Sequence, residues 1–318
     1  MRKKTKIWLI IAVFLVLAGG IIFGGVMTML KWDFTKLSTS TYETNTHIIE
    51  EDFQAIQVAC DTADITFVPA ETASVVCYER ANETHSVTVA DGSLVIEMQD
   101  TRKWYEHIGI NFGTPKITVY IPEGEYGALS VKASTGDVEI AKEFQFESIA
   151  VSTSTGTVKN QASALGRMQI STSTGGIRVE GVRAGEIDLS VSTGKIIGTA
   201  VVCEGNVGVR VSTGAVRLTD VTCKNVTSSG STGSMIMQNV IAAEKFSIER
   251  STGDVQFDGC DAAEIFVETD TGDVSGTLLS EKVFLTETDT GTVNVPKSVT
   301  GGRCEVKTDT GDIHIQIQ

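Results

Sequence analysis

The sequence predicts an all-β chain: a single-stack parallel β-solenoid, or β-helix, of 19–20-residue rungs, preceded by one N-terminal transmembrane α-helix. Three observations predict it. A Ser/Asp-Thr-Gly unit recurs ten times at spacings of 19 or 20 residues, apolar and polar residues alternate on both sides of each unit, and a long uncharged apolar run lies near the N-terminus.

Residues 1–6 hold Arg2, Lys3, Lys4 and Lys6 and read as a cytoplasmic tail. Residues 7–30 are 24 consecutive uncharged residues. As a helix rising about 1.5 Å per residue they span roughly 36 Å, enough for a hydrocarbon core about 30 Å thick. Only Lys31 follows closely, so the positive-inside rule leaves the tail inside the cell membrane and sends the rest of the single-pass chain outside. The rival reading is a cleaved signal peptide, whose apolar region would be about 7–15 residues and therefore shorter than this run. A lipoprotein would carry cysteine after Leu17-Ala18-Gly19, where Gly20 stands. Gly20 and Gly24 have the GxxxG spacing that lets two anchors approach closely, although glycine is common in membrane spans in any case.

Residues 31–48, rich in Thr and Ser, read as a polar tether, and residues 49–318 as an extracytoplasmic β-solenoid. The formal net charge is -14, but residues 1–31 carry five cations and no acid, which leaves 21 cations against 40 acids beyond them. A body that acidic repels nucleic acid and anionic lipid headgroups, so nucleic-acid binding is set aside. Aromatic residues make up 6%, with 31 glycines against 4 prolines, a balance that suits short strands and tight turns.

The corner glycines are Gly136, Gly156, Gly175, Gly194, Gly214, Gly233, Gly253, Gly272, Gly291 and Gly311. Two residues after each stands an apolar residue, from Val138 to Ile313, and seven before each another, from Leu129 to Cys304. That is period-two alternation broken by a turn: strand, corner, strand. One unit cannot bury its own apolar face, so units stack at about 4.8 Å per rung around a shared core. Residues 123–318 form the regular rungs and 49–122 degenerate N-terminal rungs with a cap. Within the latter, Asp61-Thr62-Ala63 puts alanine where the glycine would be, 74–78, 86–89 and 94–97 read as strands, and 101–115 is either a cap or an exposed loop.

Phe53-x-x-Ile56-x-Val58, Asp64-Ile65-x-Phe67-x-Pro69, the strand at 116–122 ending in Ile-Pro, and the Ser-Thr-Gly-Asp-Val-x-Ile unit at 134–140 together resemble a bacterial family of candidate adhesins. It is a domain of unknown function that includes LiaG-type cell-envelope proteins. The resemblance covers about residues 50–318. It implies a β-solenoid, a cell-envelope setting and no demonstrated enzymatic chemistry, and it has no agreed catalytic residues to carry over. LiaG-type relatives are linked with the envelope-stress response.

Asp-Thr-Gly at 270–272, 289–291 and 309–311 has the form used by aspartic proteases, but each Asp replaces the Ser of sister repeats and no second lobe faces it. Stacked on successive rungs, Asp270, Asp289 and Asp309, with Asp273 and Asp312 across their corners, form a candidate Ca²⁺ ladder, a hard cation relieving their repulsion. The plainer reading is a hydrated acidic edge. Threonine precedes every corner glycine, and Thr-x-Thr pairs such as Thr153/Thr155 would suit ice binding only if the plane were unbroken; packing at the corner is the simpler role. None of the six cysteines lies in CxxC and the four histidines are scattered, so a zinc site is not expected. Cys203 and Cys223 should stack on adjacent rungs, either as buried thiols or as a bridge.

The chain therefore reads as a non-enzymatic, membrane-anchored envelope scaffold or adhesin, with no cofactor beyond the Ca²⁺ candidate. Its acidic face would meet cell-wall polymer or an envelope protein, and it would oligomerise, if at all, through Gly20/Gly24 or the C-terminal edge strand 312–318. The alternatives are a regulatory ectodomain that binds a membrane sensor, and a polysaccharide-active β-helix enzyme, which needs long loops that these short turns do not supply.

Overall fold

The computed structural model describes residues 3–37, 41–101 and 113–318. Helix α1 (Lys3–Met29) contains a stretch, Thr5–Met29, long and apolar enough to cross a membrane. A short 3-10 turn at Phe34–Leu37 follows it. Seven strands then build the N-terminal end: β1 (Tyr42–Ile48), β2 (Ala55–Thr62), β3 (Asp64–Pro69), β4 (Ser74–Arg80), β5 (Glu83–Ala90), β6 (Ser93–Asp100) and β7 (Lys116–Ile121). The regular stack begins with β8 (Gly124–Thr135) and β9 (Val138–Ile140) and continues through β10 to β16 between Phe144 and Thr252. It closes with β17 (Val255–Thr271), β18 (Val274–Leu278), β19 (Lys282–Thr290), β20 (Val293–Asn294), β21 (Gly302–Thr310) and β22 (Ile313–Ile317).

The stack is a parallel β-solenoid in the register the repeat predicts: Val151 pairs with Ile170, Ile170 with Leu189, and Leu189 with Val209. All these side chains are buried, as are Val158, Ile177 and Ile196 beyond the corner. Each turn of the regular stack bends at the Thr-Gly corner, and the middle turns bend again at a left-handed residue, the column Gly181, Ala200, Asp220, Asn239 and Gly259. That second column lies outside the tripeptide motif.

The corner glycines cannot be replaced. At Gly194 φ is +147°, and a Cβ there would stand 1.5 Å from the carbonyl oxygen of Gly175 in the neighbouring turn. The same clash recurs along the column, so each glycine is needed because the backbone of the next turn occupies the space a side chain would take. Ala63 starts the column: Thr62 pairs with Thr135, and the Ala63 N–H donates to the Thr135 carbonyl (3.0 Å).

Both ends depart from sequential stacking. At the N-terminal end, β2 lies between β6 and β8, and β3 between β7 and β9, so the turn formed by β2 and β3 is the second rung and the later β6 and β7 form the outer one. At the other end, β21 pairs with both β17 and β19, and β22 with both β18 and β20. The turn carrying Asp309 is thus inserted between those carrying Asp270 and Asp289. This corrects two expectations. The three aspartates do not stack in sequence order, and the open edge is not the last strand but β19 with β20, because a strand paired on both sides has no free edge. Lys282, at the start of β19 and 2% exposed, reaches back to Asp261 (2.6 Å) and braces the skipped step.

The N-terminal end is closed by antiparallel strands. β4 runs against β7, β5 against β6, and β1 against β4. Tyr42–Ile48, assigned to the tether by its Thr-rich composition, is therefore the outermost strand of this cap. Most of the 101–115 segment, the other candidate cap, lies outside the described residues.

Candidate functional site

The repeated corner uses its polar groups internally. The Gly136 N–H donates to the Thr155 carbonyl (2.9 Å), and equivalent bonds run on to Gly311 and Thr290 (2.9 Å). In four of the five Thr-x-Thr pairs the first threonine is buried (Thr153, Thr172, Thr269 and Thr308), and in the fifth Thr288 is half-buried. The Thr308 hydroxyl donates to the Gly272 carbonyl (3.1 Å) and that of Thr288 to Gly311 (3.0 Å). These threonines latch one turn to the next and leave no flat double column outside.

Of the five candidate Ca²⁺ ligands, Asp270, Asp289 and Asp309 are exposed on turns ordered 270, 309, 289. Asp273 accepts the Asp312 N–H (2.8 Å), and Asp312 accepts the Thr292 N–H (2.7 Å) and hydroxyl (2.9 Å). The Thr292 amide, with its hydroxyl, holds the Asp312 carboxyl below the usual carboxylate range. At the other end Asp64 accepts the Asp137 N–H and Asp137 the Thr157 N–H (3.1 and 2.7 Å). The residue after the corner glycine thus caps its neighbour's backbone, which engages two of the five carboxylates before any cation is considered.

Two further arrangements escaped the sequence reading. In the first, Arg250 is only 4% exposed although it carries a guanidinium. It pairs in register with Gly230 and donates to Ser228 Oγ (2.7 Å), while its Nε has no partner. A Cβ on Gly230 would lie 1.8 Å from the Arg250 guanidinium. Ser228 and Gly230, where the preceding turn carries Val209 and Val211, thus make room and one polar contact for a buried cation. The missed signal was that three departures from the repeat pattern fall on adjoining turns.

In the second, the inner faces of β4 and β5 bring together Cys77, Glu79 and His85, all buried. They are the one set of three or more His, Cys, Asp or Glu side chains among the described residues with donor atoms all within 4.8 Å of each other. Glu79 Oε2 lies 2.7 Å from His85 Nδ1 and accepts the His85 backbone N–H (2.7 Å), and Glu79 Oε1 accepts Asn45 Nδ2 (2.7 Å). Burial, helped by the Glu79 charge, pushes the Cys77 thiol up to about 12. His85 Nε2 is buried without a partner. Spacing on one line hid this trio; the alternation of inward positions 77 and 79, then 83 and 85 after the Ala81-Asn82 turn, carried it.

All six cysteines are free thiols, Cys203 and Cys223 included. Burial pushes Cys223 up to about 12, as expected of apolar packing residues.

A family model described as Toastrack DUF4097 matches residues 53–208 and again 204–318. Among solved structures, a candidate adhesin from Parabacteroides distasonis shares 10% identity, with 87% of this chain and 98% of that one covered, at a TM-score of 0.48. A candidate adhesin from Parabacteroides merdae shares 13%, covering 88% and 98%, at a TM-score of 0.47. A candidate lipid-binding protein, also from Parabacteroides distasonis, shares 14%, covering 88% and 98%, at 0.42. No curated protein matches the chain.

Proposed function

The chain belongs to the Toastrack DUF4097 family, and on that footing we propose that it is a membrane-anchored, non-catalytic envelope protein whose solenoid surface binds a repeating cell-wall polymer. The single observation that carries this reading is the regularity of the outer face. Outward residues line up from turn to turn, as in Glu139 with Lys159 (2.7 Å) and Asp188 between Arg167 (2.5 Å) and Arg210 (3.8 Å). Rows of polar groups repeating every 4.8 Å or so suit a ligand that is itself periodic, each contact weak and the sum large. The apolar helix, read as an uncleaved anchor with its N-terminus inside, would hold this surface outside the cell membrane.

Full chain in detergent, incubated with purified wall polymer and separately with solubilised envelope proteins, tests the proposal. Co-sedimentation with the polymer is expected. Retention of a single membrane sensor and no polymer would replace it with the regulatory reading. Release of reducing ends from the polymer would overturn the non-catalytic one.

A further inference from the structure

Independently of the surface reading, we propose that Cys77, Glu79 and His85 bind a divalent transition metal of the zinc class at the N-terminal end of the solenoid interior. Three donors of different type converge from two strands, and all are withdrawn from solvent at 0%, 1% and 4% exposure. Thiolate and imidazole select zinc-class ions over calcium or magnesium, which take oxygen ligands. Charge balance favours such an ion further. Among the described residues the one basic side chain against the buried Glu79 carboxylate is His85, hydrogen-bonded to it through Nδ1. A divalent cation bound by that carboxylate and a Cys77 thiolate makes a neutral set, which a buried site favours.

The supporting contacts that such sites require are in place. Asn45 Nδ2 fixes one carboxylate oxygen and the His85 backbone N–H the other. The ion takes the position of the proton between Glu79 Oε2 and His85 Nδ1, now 2.7 Å apart. Metal–ligand bonds of about 2.0–2.2 Å at tetrahedral angles set those atoms at about 3.3–3.5 Å, so the pair opens by well under 1 Å. Protons balance. The ring proton moves to His85 Nε2, which is without a partner, and the Cys77 thiol proton leaves to solvent as the Cys77–metal bond forms.

Cobalt(II), a spectroscopic stand-in for zinc, is titrated into the full chain in detergent. One equivalent should bind with a thiolate-to-cobalt charge-transfer band and the visible bands of tetrahedral cobalt. Cys77→Ser should lose the charge-transfer band, while Cys260→Ser, a buried thiol outside the trio, should keep it. Asn45→Ala should weaken binding by about 10–100-fold through the supporting contact alone. X-ray absorption of the zinc-loaded wild type needs no variant to fold and should show one sulfur among nitrogen and oxygen ligands. A coordination shell without sulfur, a charge-transfer band that survives Cys77→Ser, or no stoichiometric binding overturns the proposal.

Discussion

Thr310 pairs in register with Thr271 on one side and with Thr290 on the other, so the last corner of the sequence is the penultimate corner of the stack. The N-terminal end mirrors this, with Ile56 between Leu94 and Leu129. A terminal strand paired on one edge frays; one paired on both edges opens only if a neighbour leaves first. The chain enters and leaves its solenoid one rung in from each end.

Hydrogen exchange should reveal this inversion directly. Amides of Cys304–Lys307 are expected to exchange more slowly than those of Phe284–Glu287, although they lie nearer the end of the sequence. Equal or reversed protection, read by mass spectrometry of overlapping peptides, would contradict the inserted order.

Lys282→Ala should loosen the brace across the inserted turn. Lys282 is almost fully buried while Asp261 keeps some solvent, its side chain 23% exposed. The loss expected is about 2 kcal/mol, less than the roughly 3–5 kcal/mol for breaking a fully buried pair because Asp261 keeps some water, measured by denaturant unfolding.

The corner column predicts a sharp contrast between glycines. Gly194→Ala forces a Cβ into the Gly175 carbonyl and should cost more than about 3 kcal/mol. Gly181→Ala, at φ +67° with nothing within 4 Å, should cost only about 1–2 kcal/mol.

Arg250 offers a test of a buried cation with one side-chain partner. Arg250→Met removes the charge and keeps most of the volume, and should be neutral or stabilising by about 1–2 kcal/mol. Arg250→Ala should destabilise by about 2–4 kcal/mol through the cavity it leaves.

Asp312 sets a pH dependence of known sign. Its folded pKa is depressed by the Thr292 amide and hydroxyl, so its contribution is present above the ordinary aspartate value and lost as pH falls through the depressed one. The melting-temperature difference between wild type and Asp312→Asn should therefore be constant near neutral pH and shrink below about pH 3.9. The same melts with Ca²⁺ and with chelator test the aspartate ladder. With Asp273 and Asp312 already bonded to backbone amides, no Ca²⁺-dependent shift is expected.

The repeating unit is legible in the sequence. Alternation names the inward residues, and the glycine of Ser/Asp-Thr-Gly names the corner, because both follow from local geometry that each turn obeys alone. It also showed the apolar helix and the acidic residues at the corners. Which turn lies beside which depends on pairing between segments distant in the chain. Asp-Thr-Gly reads identically at 270, 289 and 309, so no local preference distinguishes an inserted turn from a terminal one. Edge pairing and the reach of Lys282 to Asp261 mark the difference. The same holds for Arg250 with Ser228 and Gly230, and for Cys77, Glu79 and His85. These contacts join adjacent turns or facing strands, and their chemistry exists only once the register and the order of the stack are set.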